Sequence, residues 1–144
     1  MMNASKTKDQ LTWSHAYTTQ VREIDQEHKL LIKKINNLLN VIKKQSPDAF
    51  VDMRFIKKEH EALKHEILLH FLHEERLMEF YHISVQHRSR HLKEHLFFIQ
   101  QLNDISSKRC ADFVKWVING WHEHLIYADK ELGRLLCNIN HTSR

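Results

Sequence analysis

The stretch Ile67-Leu68-Leu69-His70-Phe71-Leu72-His73-Glu74-Glu75-Arg76-Leu77-Met78 decides how the chain is read. Ile67, His70, Glu74, Leu77 and Met78 recur at steps of three and four, which places them on one face of a helix. That face sets an imidazole and a carboxylate one turn apart among aliphatic side chains. A polar group buried without a partner costs about 2 kcal/mol or more, and an unpaired charge far more. Each therefore needs a hydrogen-bonding partner or a metal ion.

The same pattern recurs on both sides of this stretch. From about Val21, His28, Leu31, Ile32, Ile35, Leu39 and Ile42 fall on one face. Gln45-Ser46-Pro47-Asp48 interrupts it, with Ser46 suited to an N-cap and Pro47 to a first helical position. The period through Ile56, Leu63 and Ile67 carries the decisive stretch to Phe80. After a break near His82, the spacing of His91, His95, Phe98, Leu102 and Ile105 predicts a third helix. Ser106-Ser107 offers a cap, and Phe113, Val117, Trp121, His124, Leu125 and Leu132 mark a fourth; Gly120 inside it weakens helix propensity by about 1 kcal/mol. The expected helices are 21–44, 49–80, 87–105 and 108–136, behind an arm over residues 1–20. Four long amphipathic segments with short connections predict a single all-α domain over 1–144, an up-down-up-down antiparallel four-helix bundle.

Composition agrees. Two glycines and one proline leave little for the turns of a β fold. Hydrophobic residues at 42% and charged residues at 28% are ordinary for a globular chain. The +4 formal charge is spread as pairs such as Lys33-Lys34 and Lys57-Lys58, with no basic arm or finger motif, so no nucleic-acid partner is expected. No apolar run approaches the ~20 residues of a membrane span, and the first residues lack the apolar core of a signal segment. Cys110 and Cys137 read as small buried hydrophobes in a reducing, cytoplasmic setting.

Thirteen histidines are the anomaly. His70 and Glu74, the His91–His95 pair, His28 and His124 all fall on the apolar stripes, and Asp129 follows five residues after His124. Five imidazoles and two carboxylates aimed into one bundle suit a pair of iron ions, whereas one tetrahedral zinc site takes about four ligands and strands the rest. His15, His60, His65, His73, His82, His122 and His141 have no place in that set, and most are expected on the surface.

Four blocks in order carry a resemblance: Ile24-Asp25-Gln26-Glu27-His28-Lys29-Leu30, the His70–Met78 string, His91-Leu92-Lys93-Glu94-His95 with Phe98, and His124-Leu125-Ile126-Tyr127-Ala128-Asp129. Together with Trp13 and Tyr17 in the arm, they resemble the bacterial single-domain hemerythrins over nearly the whole chain. The resemblance implies an oxo- or hydroxo-bridged di-iron centre. His91, His95 and His124 would bind one iron and His28 and His70 the other, with Glu74 and Asp129 bridging. It also implies reversible dioxygen binding at the two-histidine iron, in a pocket lined by Leu31, Phe71, Trp121 and Leu125, for storage, delivery or sensing. A cytoplasmic monomer, serving an oxygen-consuming partner protein and lacking enzymatic turnover, is the expected setting.

The chain departs from that pattern in places. Gln20 stands where a glycine is usual, Glu27 where glutamine is common, and Trp121 is displaced by one residue. The interval after Met78 is two residues longer than usual if His91 and His95 are the pair, and two shorter if His87 and His91 are. Phe98, three residues beyond His95, favours the later pair. The competing function is a di-iron oxidoreductase handling peroxide or nitric oxide, or an iron buffer. Such oxygen-activating bundles are carboxylate-rich with Glu-x-x-His pairs, whereas histidines outnumber carboxylates here.

Overall fold

The computed structural model describes residues 9–142, with side chains through Ile139. The expectations for the extreme N-terminus and for His141 lie outside that range. The described chain is all-α: α1 spans Arg22–Ile42, α2 Lys57–Phe80, α3 Val85–Asn103 and α4 Cys110–Glu123. A π-helical turn, His124–Asp129, continues α4 without a break into α5, Lys130–Thr142. Among the described residues there is no β-strand beyond an isolated bridge between Phe50 and Arg109. No described helix is long and apolar enough to cross a membrane.

Several boundaries differ from expectation. Pro47 does not open α2, which starts at Lys57 instead of residue 49. Segment 47–51 is pinned to the start of α4, where Ala111 N–H donates to Pro47 O (3.0 Å), Cys110 N–H to Ala49 O (2.8 Å) and Val51 N–H to Lys108 O (2.9 Å). The first N–H groups of a helix need acceptors, and Arg109 at the N-cap offers none from its side chain. Backbone carbonyls of the loop between α1 and α2 do that work, and Ser106-Ser107 forms a 3-10 turn with Ile105 instead of a cap. Ser84 caps α3, accepting from His87 N–H at 3.2 Å, and starts it at Val85 instead of residue 87. The last column begins at Cys110 and runs on to Thr142, past the expected end at 136.

Every stripe residue from Leu31 to Ile42 on α1, and Ile56, Leu63 and Ile67 before the decisive turn of α2, is buried. Phe98, Leu102, Phe113, Val117, Trp121 and Leu125 join them in one apolar cluster. A smaller cluster of Ile24, Met78, Ile83, Leu132 and Leu136 closes the other end. On α1, α2 and the last column, the histidines and carboxylates fall in sequence between these clusters, so they form a polar layer capped by apolar residues on both sides.

The arm is held over the helices. Leu11 is buried and exchanges two hydrogen bonds with the Asn36 side chain, at 3.0 and 2.7 Å. Asp25, in the first turn of α1, accepts from Thr18 Oγ1 (2.7 Å), Thr19 N–H (2.8 Å) and Thr19 Oγ1 (2.7 Å). Gly133 lets α5 approach this point, since a Cβ there would sit 2.7 Å from Thr19 Cβ. Gln20 takes the left-handed conformation, φ 66°, before the chain enters α1.

Candidate metal centre

Seven side chains from four helical columns converge in the polar layer. His28, His70, Glu74, His91, His95, His124 and Asp129 are all buried, with Glu74 and Asp129 fully so. Their ligand atoms form two groups, each within 4.8 Å: Glu74 with His91, His95 and His124, and Glu74 and Asp129 with His28 and His70. Glu74 belongs to both. Its Oε1 lies 3.2 Å from His95 Nε2, and its Oε2 lies 3.3 Å from His70 Nε2. Asp129 also spans the two, with Oδ2 2.8 Å from His28 Nε2 and Oδ1 3.1 Å from both His91 and His124 Nε2.

The π turn makes Asp129 available. Five residues of α-helix rotate a side chain about 140° away from its starting direction. A π turn closes on i→i+5, so His124 and Asp129 reach the same interior.

Outer carboxylates orient three of the imidazoles, each from the preceding helix. Glu27 on α1 accepts from His70 Nδ1–H on α2 at 2.6 Å. Glu75 on α2 accepts from His95 Nδ1–H on α3 at 2.9 Å. Glu94 on α3 accepts from His124 Nδ1–H at 2.9 Å. A donor proton on Nδ1 leaves the Nε2 lone pair facing inward, the tautomer a metal ligand needs. Glu27 also takes His73 Nδ1–H at 2.6 Å through its other oxygen.

The inward side is short of protons. His28 and His70 meet Nε2 to Nε2 at 3.1 Å, so two lone pairs collide there unless a proton or another cation intervenes. Both Glu74 oxygens, Asp129 Oδ2, His95 Nε2 and His124 Nε2 are buried without a hydrogen-bond partner. Such orphaned atoms are rare in folded chains. Protons fill the role in part. Burial works against charge on His124, but Asp129 and Glu94 outweigh it and push the imidazole up to about 10. His70 is likewise held well above its ordinary value against burial, by Glu74, Asp129 and Glu27. Burial and Asp129 would raise Glu74, yet His70 and His95 bring its carboxyl down to about 2. A metal ion bound to the same Nε2 and carboxylate atoms would replace those protons. All-nitrogen and oxygen donors, with no thiolate among them, fit divalent first-row ions.

His87, the alternative to His95, is buried beside His91, with ring centroids 4.8 Å apart, but stands outside both groups. Leu31, Phe71, Trp121 and Leu125 all lie in the main apolar cluster. Phe71 stacks on His95 at 3.7 Å, and Trp121 meets His124 edge-on at 5.4 Å. Several expectations need correction. His60 is buried, not exposed, and bonds Leu102 O at 2.7 Å. His122 is half-buried and bonds the hydroxyl of the buried Tyr17 at 2.7 Å, tying the arm to α4. Cys110 is buried as expected, but Cys137 is only half so.

No protein-family model matches this chain, and neither does any curated protein or solved structure.

Proposed function

We propose that the chain holds two iron ions in this layer and binds dioxygen there reversibly, in the manner of the hemerythrins its sequence resembles. The observation that carries the reading is the pair of buried nitrogen and oxygen groups that share Glu74. His91, His95 and His124 would hold one ion and His28 and His70 the other, with Glu74 and Asp129 between them. Bound ferrous ions would supply the electrons and the open coordination position that dioxygen requires. With three histidines on one ion and two on the other, the open position would fall on the His28–His70 side.

The chain's own residues do the rest. Glu27, Glu75 and Glu94 fix the rings of His70, His95 and His124. The two apolar clusters cap the layer at both ends, and Leu31, Phe71, Trp121 and Leu125 of the larger one would line the dioxygen pocket. Burial of the layer's histidines and carboxylates strengthens every electrostatic contact among them.

The reading includes an up-down-up-down antiparallel bundle, and contacts between successive helices support it. His60 reaches Leu102 while Glu75 reaches His95, so α2 and α3 run in opposite directions. Glu94 meets His124 while Phe97 meets Trp116, which gives α3 and α4 the same relation. Anaerobic loading with iron(II), followed by dioxygen-electrode titration, tests the function. The proposal expects one dioxygen taken up per iron pair and returned under argon. Uptake that argon does not reverse would favour an oxidoreductase and overturn it.

A further inference from the structure

A cavity of about 600 Å³ opens between α3 and the π turn, against His91 and His124. Its volume falls within the ~300–1,000 Å³ of small-molecule sites. Phe97, Phe98 and Tyr127 supply aromatic wall. His87 lines it too, 5% exposed, and its Nε2 is buried with no hydrogen-bond partner. An unpaired buried nitrogen on a cavity wall marks a place where a ligand's polar atom would be held.

The charges around the cavity are unequal once internal pairs are removed. Glu94 is committed to His124 Nδ1, and Glu131 to Arg134 at 2.6 Å. That leaves Arg90 and Lys93 against Glu123. Two bases, Arg90 also within the field of Glu131, beside aromatic rings and a buried imidazole select an anion with a flat apolar body.

We propose that this cavity binds a small aromatic carboxylate, its carboxylate held by Arg90 and Lys93, its ring against Phe97 and Tyr127, and a polar atom at His87 Nε2. The occupant would lie against His91 and His124 without entering the buried layer between the apolar clusters. The site lies on the His91–His124 side of the layer, away from His28 and His70.

Amide-shift mapping tests it, using ¹⁵N-labelled protein titrated with benzoate and with benzamide, its neutral counterpart. The titration is run once on metal-free protein and once with diamagnetic zinc added. Benzoate should shift amides in 87–98 and 120–131 saturably, with a Kd on the order of 1 mM or tighter. Benzamide, and benzoate on the Arg90→Gln/Lys93→Gln variant, should each bind about tenfold more weakly, because a charge-assisted contact is lost. Both substitutions are at exposed positions, and unchanged far-ultraviolet circular dichroism would verify the fold. Equal affinity for benzoate and benzamide, shifts centred elsewhere, or no saturable shift would overturn the proposal. If zinc leaves the spectrum unchanged while benzoate still binds, the metal reading fails and the cavity proposal stands.

Discussion

Alanine at Glu27 should weaken one metal position and spare the other. Glu27 accepts from His70 Nδ1–H and His73 Nδ1–H, both at 2.6 Å. A hydrogen bond to a charged acceptor contributes about 1.5–3 kcal/mol. The Glu27 side chain is 34% exposed, and water screens it, so the lower end of that range applies. About 1.5 kcal/mol corresponds to roughly tenfold in affinity, the mild end of what outer-ligand changes cost at metal sites. Glu27→Ala should therefore weaken binding at the His28–His70 group about tenfold and leave the His91–His95–His124 group unchanged. Glu27→Gln keeps an acceptor for His70 but loses the charge, and should fall about threefold. Glu94→Ala, which frees His124 instead, should reverse the selectivity. The assay is anaerobic iron(II) titration against a competing chelator, resolving two binding steps. If Glu27→Ala and Glu94→Ala weaken the same step, or both steps equally, the orienting role is wrong.

Metal-free protein should be most stable between about pH 4.5 and 6.5. Raising His124 from 6.5 to about 10 adds stability that is complete below pH 6.5 and lost as pH climbs toward 10. Lowering Glu74 from 4.5 to about 2 adds stability that is complete above pH 4.5 and lost as pH falls toward 2. Urea denaturation with chelator present should show each loss at up to about 1.4 kcal/mol per pH unit, while metal affinity rises with pH; stability that increases from pH 7 to 9 would contradict this. Gly133→Ala should cost about 1–3 kcal/mol and lower the Tm, since the added methyl displaces Thr19 from Asp25. A rise in Tm would mean that helix propensity outweighs the contact. Gln20→Gly should change stability by less than about 1 kcal/mol, as relief of the positive φ offsets added unfolded-state entropy, whereas Gln20→Val should lose more than about 1 kcal/mol in thermal unfolding.

Much of this was legible because the helical period and the chemistry coincide. His28, His70, Glu74, His91, His95 and His124 sit at the same three- and four-residue steps as the core aliphatics, so one pattern located both. The start of α2 was misread because Ser46-Pro47 has helix-opening chemistry, while tertiary bonds from α4 claim that backbone. The π turn has no such local signal; only the five-residue interval from His124 to Asp129 hinted at it. The outer carboxylates were missed for a related reason. Glu27, Glu75 and Glu94 each stand next to a candidate ligand in sequence, yet each serves a histidine of the following helix. Helical period does not encode such cross-helix pairing. His60 has no ligand partner in sequence and so reads as a surface residue, but a backbone carbonyl satisfies it in the core. Gln20 takes a left-handed φ of 66°, a conformation that suits glycine, the residue the hemerythrin resemblance leads one to expect there.

The most direct measurement of the central claim is the absorption spectrum of protein loaded anaerobically with iron(II), recorded before air, in air and after argon purging. Reversible dioxygen binding predicts a colourless sample that gains a visible band in air and loses it under argon. A stable oxidised spectrum that forms at once in air, with no reversible band, would contradict it.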